Sequence, residues 1–256
     1  MTPKAPYRYH APPLLRPTLG VVVLAADETI ESDLRHYFPA EIDWFTTRVG
    51  SSTEVSSQSL ADIASRIGPA ASLFPHGRKF KAIAYACTSG AAEIGPDGVA
   101  SRIKANADTE SVTDPVTALV AACGALGIKR LGLLSPYVAS VSQKLRNVLL
   151  DNGIATPVFG SFEVAKEATV VRIDAQSIND AALDLMAGAD VDALFLSCTN
   201  LQTRDVIAPL EHALGKPVLT SNQVLAWHMM HLTQAGTIVA DGGRLFNEHG
   251  RAGTRG

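Results

Sequence analysis

Short apolar or β-branched runs alternate along the chain with stretches whose apolar residues recur at helical spacing. Leu19–Leu24 (LGVVVL) is almost continuously apolar, the pattern of a strand buried on both faces. A helical pattern follows from about Thr29 to Tyr37, then a second strand over Ile42–Val49. Across Ser59–Leu73, apolar residues at Leu60, Ile63, Ala64, Ile67 and Ala71 come close to a helical period. Lys81–Ala86 (KAIAYA) reads as a third strand that ends at Cys87. The order then starts again. A helix is predicted over Pro115–Leu126, with Asp114 as its N-cap and Gly127 as its C-cap. After it come the strand RLGLLS, a helix from Ala139 to Leu150, a strand near Thr156–Phe162, a helix near Ala175–Ala187, and the strand Asp192–Ser197, which ends at Cys198. A helix after Asp205, the strand KPVLT and a helix from Gln223 complete the pattern.

This order is a repeat. Leu19-Gly20 and Leu131-Gly132 open equivalent strands, with 68 residues from Leu19 to Cys87 and 67 from Leu131 to Cys198. The local stretches match as well, AIAYACTSGA against ALFLSCTNLQ. Strand–helix alternation implies parallel sheets with right-handed crossovers. The expected fold is therefore α/β, two similar Rossmann-like lobes related by a pseudo-two-fold axis, with the active site in the cleft between them. The expected boundaries are an extended arm over residues 1–17, which holds five of the 14 prolines, and a first lobe over 18–114 completed by a C-terminal helix at about 221–236. The second lobe takes 115–220, and the Gly- and Arg-rich end, 241–256, reads as a flexible tail.

Composition removes several function classes. With 22 Lys+Arg against 25 Asp+Glu among 256 residues, the chain lacks the basic excess of a nucleic-acid-binding face. No apolar run reaches the roughly 18–20 residues needed to span a bilayer, and the start lacks the apolar stretch of a secretory signal. Three cysteines make no disulfide framework. The expectation is a cytoplasmic homo-oligomer, a dimer or tetramer, that binds a small carboxylate and neither nucleic acid nor membrane. No nucleotide-binding glycine motif is present. His228 and His231 lack the third ligand that a zinc site needs.

Read by position, the cysteines divide. Ligands of open parallel sheets bind beyond the carboxyl ends of the strands, which is where Cys87 and Cys198 fall. Each is followed by a threonine (Thr88, Thr199), a small polar residue (Ser89, Asn200) and then an expected helix. Backbone N–H groups at a strand-to-helix turn suit a carboxylate or an enolate oxygen and would lower a thiol's pKa. Two thiols on opposite walls of one cleft can remove a proton from one face of an α-carbon and deliver one to the other. Cys123, within TALVAACGALG, reads as a core residue. His76 lies in a loop, Arg48 is a candidate partner for a carboxylate or else a surface residue, and Ser221-Asn222 is read as fixing a turn near the site.

YACTSG, LLSPY, FLSCTNLQT and KPVLTSNQVLAWHM together resemble the aspartate/glutamate racemase superfamily, and within it the maleate cis-trans isomerase and arylmalonate decarboxylase subgroup. The resemblance runs from about Leu19 to Gly236. It implies catalysis by Cys87 and Cys198 without cofactor or metal. Carboxylate binding would fall to Thr88, Ser89 and the backbone of Thr199, and Tyr137 would donate a hydrogen bond to a substrate carboxylate; Asn200 is a further candidate substrate-binding residue. Arylmalonate decarboxylases have glycine in place of the first cysteine, so Cys87 argues against that activity. Two positions depart from the maleate isomerases, since Asp27 and, on a looser alignment, Glu167 stand where asparagine is expected. Both departures add negative charge and favour a substrate bearing an amine or amide, with Asp27 beside that group. The expected function is a racemase or epimerase. The alternatives are maleate cis-trans isomerisation through a covalent cysteine adduct and a non-catalytic carboxylate-binding protein. The chain is also similar in general pattern to proteins of ectoine-utilisation operons.

Overall fold

The apolar runs pair into two four-stranded parallel sheets. The computed structural model describes residues 6–13, 16–234, 239 and 241–249. The first sheet holds β1 (Thr18–Leu24), β2 (Asp43–Val49), β3 (Phe80–Ala86) and β4 (Thr109–Thr113) in the order β2-β1-β3-β4. The second holds β5 (Arg130–Ser135), β6 (Ala155–Ser161), β7 (Ala193–Leu196) and β8 (Val218–Thr220) in the order β6-β5-β7-β8. The two orders are the same, and so is the register of the central pairs, although β5 and β6 shift register between Arg130 and Gly132 where β1 and β2 do not. Gly20 lies opposite Ile83 in the first sheet, and Gly132 lies opposite Leu194 in the second.

The shared Leu-Gly dipeptide has a packing cause. A Cβ at Gly20 would come within 2.9 Å of Ile83 and Phe74, and one at Gly132 within 2.6 Å of the Met186 sulfur. Glycine at these positions lets a covering side chain press onto the central strand of each sheet. Caps follow the local chemistry too. Asp114 Oδ1 accepts the N–H groups of Val116 and Thr117 at 2.8 and 3.0 Å, and Gly127 closes the helix Pro115–Leu126 in the left-handed region at φ 68°.

Several elements differ from the pattern, among them the helices Pro96–Lys104 and Glu167–Val170, which it did not predict. The periodic stretch Ser59–Leu73 forms two helices, Ser57–Ala61 and Ala64–Ala71, the first capped by Ser56 through a capping box with Ser59. β4, TESVT, lies at a sheet edge, where partial exposure permits the polar residues that hid it. The end of the chain is not wholly a tail. Gly243–His249 is a helix with Leu245 and Phe246 buried, and Phe246 stacks on Tyr37 with ring centroids 5.3 Å apart. At the other end, residues 6–13 carry neither helix nor strand and are exposed. Among the described residues, no helix is long and apolar enough to cross a membrane.

The helix Ser221–Leu232 packs against Pro115–Leu126, Ile30–Tyr37, β3 and β4. It follows directly on β8, so it carries the chain from the second sheet onto the first. Its first residue sits between the carboxyl ends of β3 and β7, where the two sheets' loops meet.

Candidate active site

The two cysteine loops start alike and then diverge. After β3, Cys87 caps the helix Thr88–Ile94, and its Sγ accepts the Gly90 N–H at 3.2 Å. Gly90 is required by space, because a Cβ there would stand 2.5 Å from the Tyr85 hydroxyl and 3.0 Å from Cys87 Sγ. After β7 no helix begins at Cys198. The chain turns instead, and helical structure resumes only at Arg204–Val206 and Ile207–Leu214. Cys198 itself has φ 121°, a region that side-chain-bearing residues rarely occupy. It is held there by hydrogen bonds. Its N–H donates to Ser221 Oγ at 2.9 Å, and the same oxygen accepts the Thr88 hydroxyl at 2.8 Å. Ser221 thus ties both cysteine loops to the start of one helix. Strain at φ 121° gives a testable consequence: Cys198→Gly should unfold with a free energy about 1–2 kcal/mol higher than Cys198→Ala by denaturant titration, against the usual cost of glycine.

One cavity brings the predicted residues together. Asp27, Cys87, Thr88, Ser89, Tyr137, Cys198, Thr199 and Asn200 line it, joined by Leu24 and Glu167. It has a volume of about 10 Å³, space for one water molecule. A small organic acid therefore enters only if the walls part. The segment that presents Glu167 is tied to residues 53–55: the Val55 N–H donates to the Ala165 carbonyl at 2.9 Å, and the Glu167 N–H donates to the Thr53 carbonyl at 3.1 Å.

Around Cys198 the cavity wall is a chain of hydrogen bonds. Tyr137 Oη lies 3.0 Å from Cys198 Sγ and donates to Glu167 Oε1 at 2.7 Å. Glu167 Oε2 accepts from Asn200 Nδ2 at 2.8 Å, while Asn200 Oδ1 accepts the Glu28 N–H at 2.9 Å. The Asn200 N–H donates to Cys198 Sγ at 3.3 Å. In this closed state the side chain of Asn200 braces Glu167, and the Tyr137 proton is engaged with the same carboxylate. Asp27 uses only half of its carboxylate. Oδ1 accepts the N–H groups of Thr29 and Ile30, each at 2.9 Å, and buried Oδ2 has no aligned hydrogen-bond partner, although the Thr199 hydroxyl lies near enough to the carboxylate to stabilise its charge.

Burial governs the titration of the site. It pushes the Cys87 thiol up to about 12, opposed by the Gly90 N–H and reinforced by the Glu167 charge. Burial and then the Glu167 charge also raise Cys198, opposed by Tyr137 and the Asn200 N–H. The expectation that turn N–H groups would lower the thiols is therefore corrected: in a closed cavity, desolvation outweighs one or two donors. Burial likewise raises Asp27, opposed chiefly by the N–H groups of Ile30 and Thr29. It raises Glu167 too, opposed by Asn200 and Tyr137. No Lys, Arg or His is among the lining residues.

Residues outside the cavity have structural partners. Arg48 donates to the Asp27 carbonyl at 2.9 Å and pairs with Glu31 at 3.1 Å, which fastens the loop that presents Asp27. Cys123 is a buried residue of the helix Pro115–Leu126. His76 is exposed and lines a different pocket, with Phe74 and Asn106. His228 Nδ1 is 2.8 Å from the Thr113 hydroxyl, and burial lowers its pKa to about 4. Among the described residues, no group of three His, Cys, Asp or Glu is placed to hold a metal ion. Glu167 was expected only as an added negative charge, not as a hydrogen-bond partner of Tyr137 and Asn200. Its local sequence, AKEATV, carries no motif, and only comparison with relatives marks the position.

The chain is similar to known proteins. The profile of one family, arylmalonate decarboxylase, matches residues 19–246. The arylmalonate decarboxylase of Bordetella bronchiseptica is 30% identical over 134 residues, 52% of this chain and 56% of its own length. The chain thus spans little more than half of that relative. A maleate isomerase of Nocardia farcinica is 26% identical over 248 residues, 90% of this chain and 95% of its own. The fold is that of a solved Nocardia farcinica maleate cis-trans isomerase, a cysteine-to-serine variant with a covalently bound succinylcysteine intermediate. That structure superposes with a TM-score of 0.81 at 23% identity, covering 91% of this chain and 98% of the other.

Proposed function

The chain belongs to the arylmalonate decarboxylase family, and from that membership we propose that it is a two-cysteine isomerase acting at the carbon next to a carboxylate. One observation carries the reading: thiols from equivalent strand ends of two repeated lobes line one cavity. One thiolate removes the α-proton and the opposite thiol delivers another, so configuration at that carbon inverts. The substrate carboxylate is held by N–H and hydroxyl groups around Thr88, Ser89 and Thr199, since no cation lines the cavity.

The substrate's other end meets Asp27, whose buried Oδ2 has no aligned donor beyond the nearby Thr199 hydroxyl. A second carboxylate there would face two acidic side chains, Asp27 and Glu167. An ammonium or amide N–H would supply the missing donor. The substrate class is therefore a small amino acid or N-acyl amino acid, and the reaction is racemisation or epimerisation.

The relative that aligns over 90% of the chain is named a maleate isomerase, and this favours a second reading. In that reading one thiolate adds to an alkene, the former double bond rotates, and the thiolate leaves again. A single assay separates the two. The protein is incubated in deuterated water with small amino acids, their N-acyl derivatives and maleate. The proposal expects deuterium at the α-carbon of an amino-acid-type substrate, with loss of optical rotation. Conversion of maleate to fumarate with no exchange in the other acids would overturn it in favour of the second reading.

A further inference from the structure

The Tyr137 hydroxyl has one proton and two neighbours able to take it. Its oxygen is 2.7 Å from Glu167 Oε1 and 3.0 Å from Cys198 Sγ, and all three side chains are buried. A carboxylate is the stronger acceptor, so the phenol proton lies toward Glu167. The phenol oxygen then faces the thiol as an acceptor for its S–H. Glu167 is held to this task from behind by Asn200 Nδ2 at 2.8 Å and through its own N–H to Thr53. Cys87 has no such chain. Its neighbouring phenol, Tyr85, interacts with the sulfur, but its hydroxyl makes no aligned hydrogen bond, and the carboxylate that acts on it, Asp114, does so only through its charge.

We propose that Cys198, Tyr137 and Glu167 form a proton relay that lets Cys198 ionise with no change in net charge, leaving Cys87 as the protonated partner. The thiol proton passes to the phenol oxygen as the phenol proton passes to Glu167 Oε1. The S–H bond and the original phenol O–H bond break, a new phenol O–H and a carboxyl O–H form, and the sulfur keeps the electron pair. The three groups together carry one negative charge before and after. The reverse step returns the proton to sulfur. No proton has to cross to solvent, which suits a cavity with space for one water molecule.

Burial raises Glu167 above the ordinary carboxyl range and so readies it to hold the proton. The other titratable groups lining the cavity are Asp27, whose charge also raises Glu167, and Cys87. The relay rests on the proposed acid–base use of the thiols and gives Glu167 a positioning role that acts through Cys198.

The test needs no substrate, so it fails or stands separately from the assay above. Iodoacetamide labelling of Cys198 is followed by peptide mass spectrometry in Cys87→Ser protein between about pH 6 and pH 9. With the relay intact, the rate rises only until the three groups have lost their first proton and is flat from there to the top of the range. Adding Glu167→Gln, or Tyr137→Phe with the carboxylate in place, removes the internal acceptor. The rate then rises about tenfold per pH unit throughout. Cys87 in Cys198→Ser protein shows the same tenfold slope. Three results would overturn the relay: equal slopes with and without Glu167, faster labelling at every pH in Glu167→Gln (a charge effect alone), or no labelling of Cys198 at any pH. A purely structural role for Glu167 would change the rates but not the shape of the profile.

Discussion

Replacing either Cys87 or Cys198 by serine should lower inversion of the α-carbon by roughly 10²–10⁴-fold, the span of one positioned acid or base. Serine keeps the size and the hydrogen bonds. The Gly90 N–H still has an acceptor at position 87, and Tyr137 and the Asn200 N–H still have one at position 198. What is lost is an atom able to carry the proton at neutral pH. The two losses should not multiply, because a single missing member already breaks a two-base reaction. The double variant is expected to be about as slow as the slower single one. Thermal unfolding of all three should stay close to the parent, so that lost turnover is not lost fold. Tight ligand binding with no turnover by the parent would instead mark a carboxylate-binding protein. The decisive comparison is turnover of parent and variants on the same acid.

Asp27→Asn should change which acids are accepted. The variant keeps an oxygen for the Thr29 and Ile30 N–H groups but replaces the unpartnered Oδ2 with a donor. An ammonium substrate loses its countercharge, at a cost of about 2–5 kcal/mol in kcat/KM terms, while a dicarboxylate loses a repulsion. Amino-acid turnover should therefore fall and any maleate conversion should rise. Unchanged preference in both directions would remove Asp27 from recognition.

The same variant has a pH signature in stability. Burial raises Asp27 above its ordinary 3.8, so the folded chain keeps a proton that the unfolded chain has released. The parent loses stability as pH rises from about 3.8 through the raised value, because the unfolded state binds fewer protons there. Asp27→Asn has no such proton. Its denaturation midpoint should gain on the parent's across that window and hold the gain at neutrality.

The sheets were legible because each strand is a short apolar run between polar turns, and the duplication was legible because Leu-Gly and Cys-Thr recur at matched spacing. What made Leu-Gly recur is visible only in three dimensions: Phe74 and Met186 press where a Cβ would stand. The cavity's membership was largely readable, since strand ends gather in a parallel sheet. The difference between the two cysteine loops was not. Nothing in SCTN announces that Cys198 adopts φ 121°, because that backbone is imposed by Ser221, 23 residues away. Nor does sequence foretell that desolvation outweighs the turn donors, which depends on how tightly the walls close. Glu167 was hidden for the same reason, as its partners Tyr137 and Asn200 come from distant turns. The closing helix escaped notice because Leu245 and Phe246 stand alone among glycines and charges, and their burial comes from contacts distant in sequence: the helices Pro115–Leu126, Ile207–Leu214 and Ser221–Leu232, β8 and the ring of Tyr37.

The central claim is that two thiols serve opposite faces of one carbon. It is tested most directly by where deuterium first appears when one enantiomer of an accepted acid turns over in deuterated water. With two bases, the inverted product takes its α-hydrogen from a thiol that has exchanged with solvent. At early times that product should carry deuterium while the recovered starting enantiomer stays protiated. Deuterium entering both enantiomers at equal rates from the first turnovers would mean that a single base serves both faces, and would contradict the account.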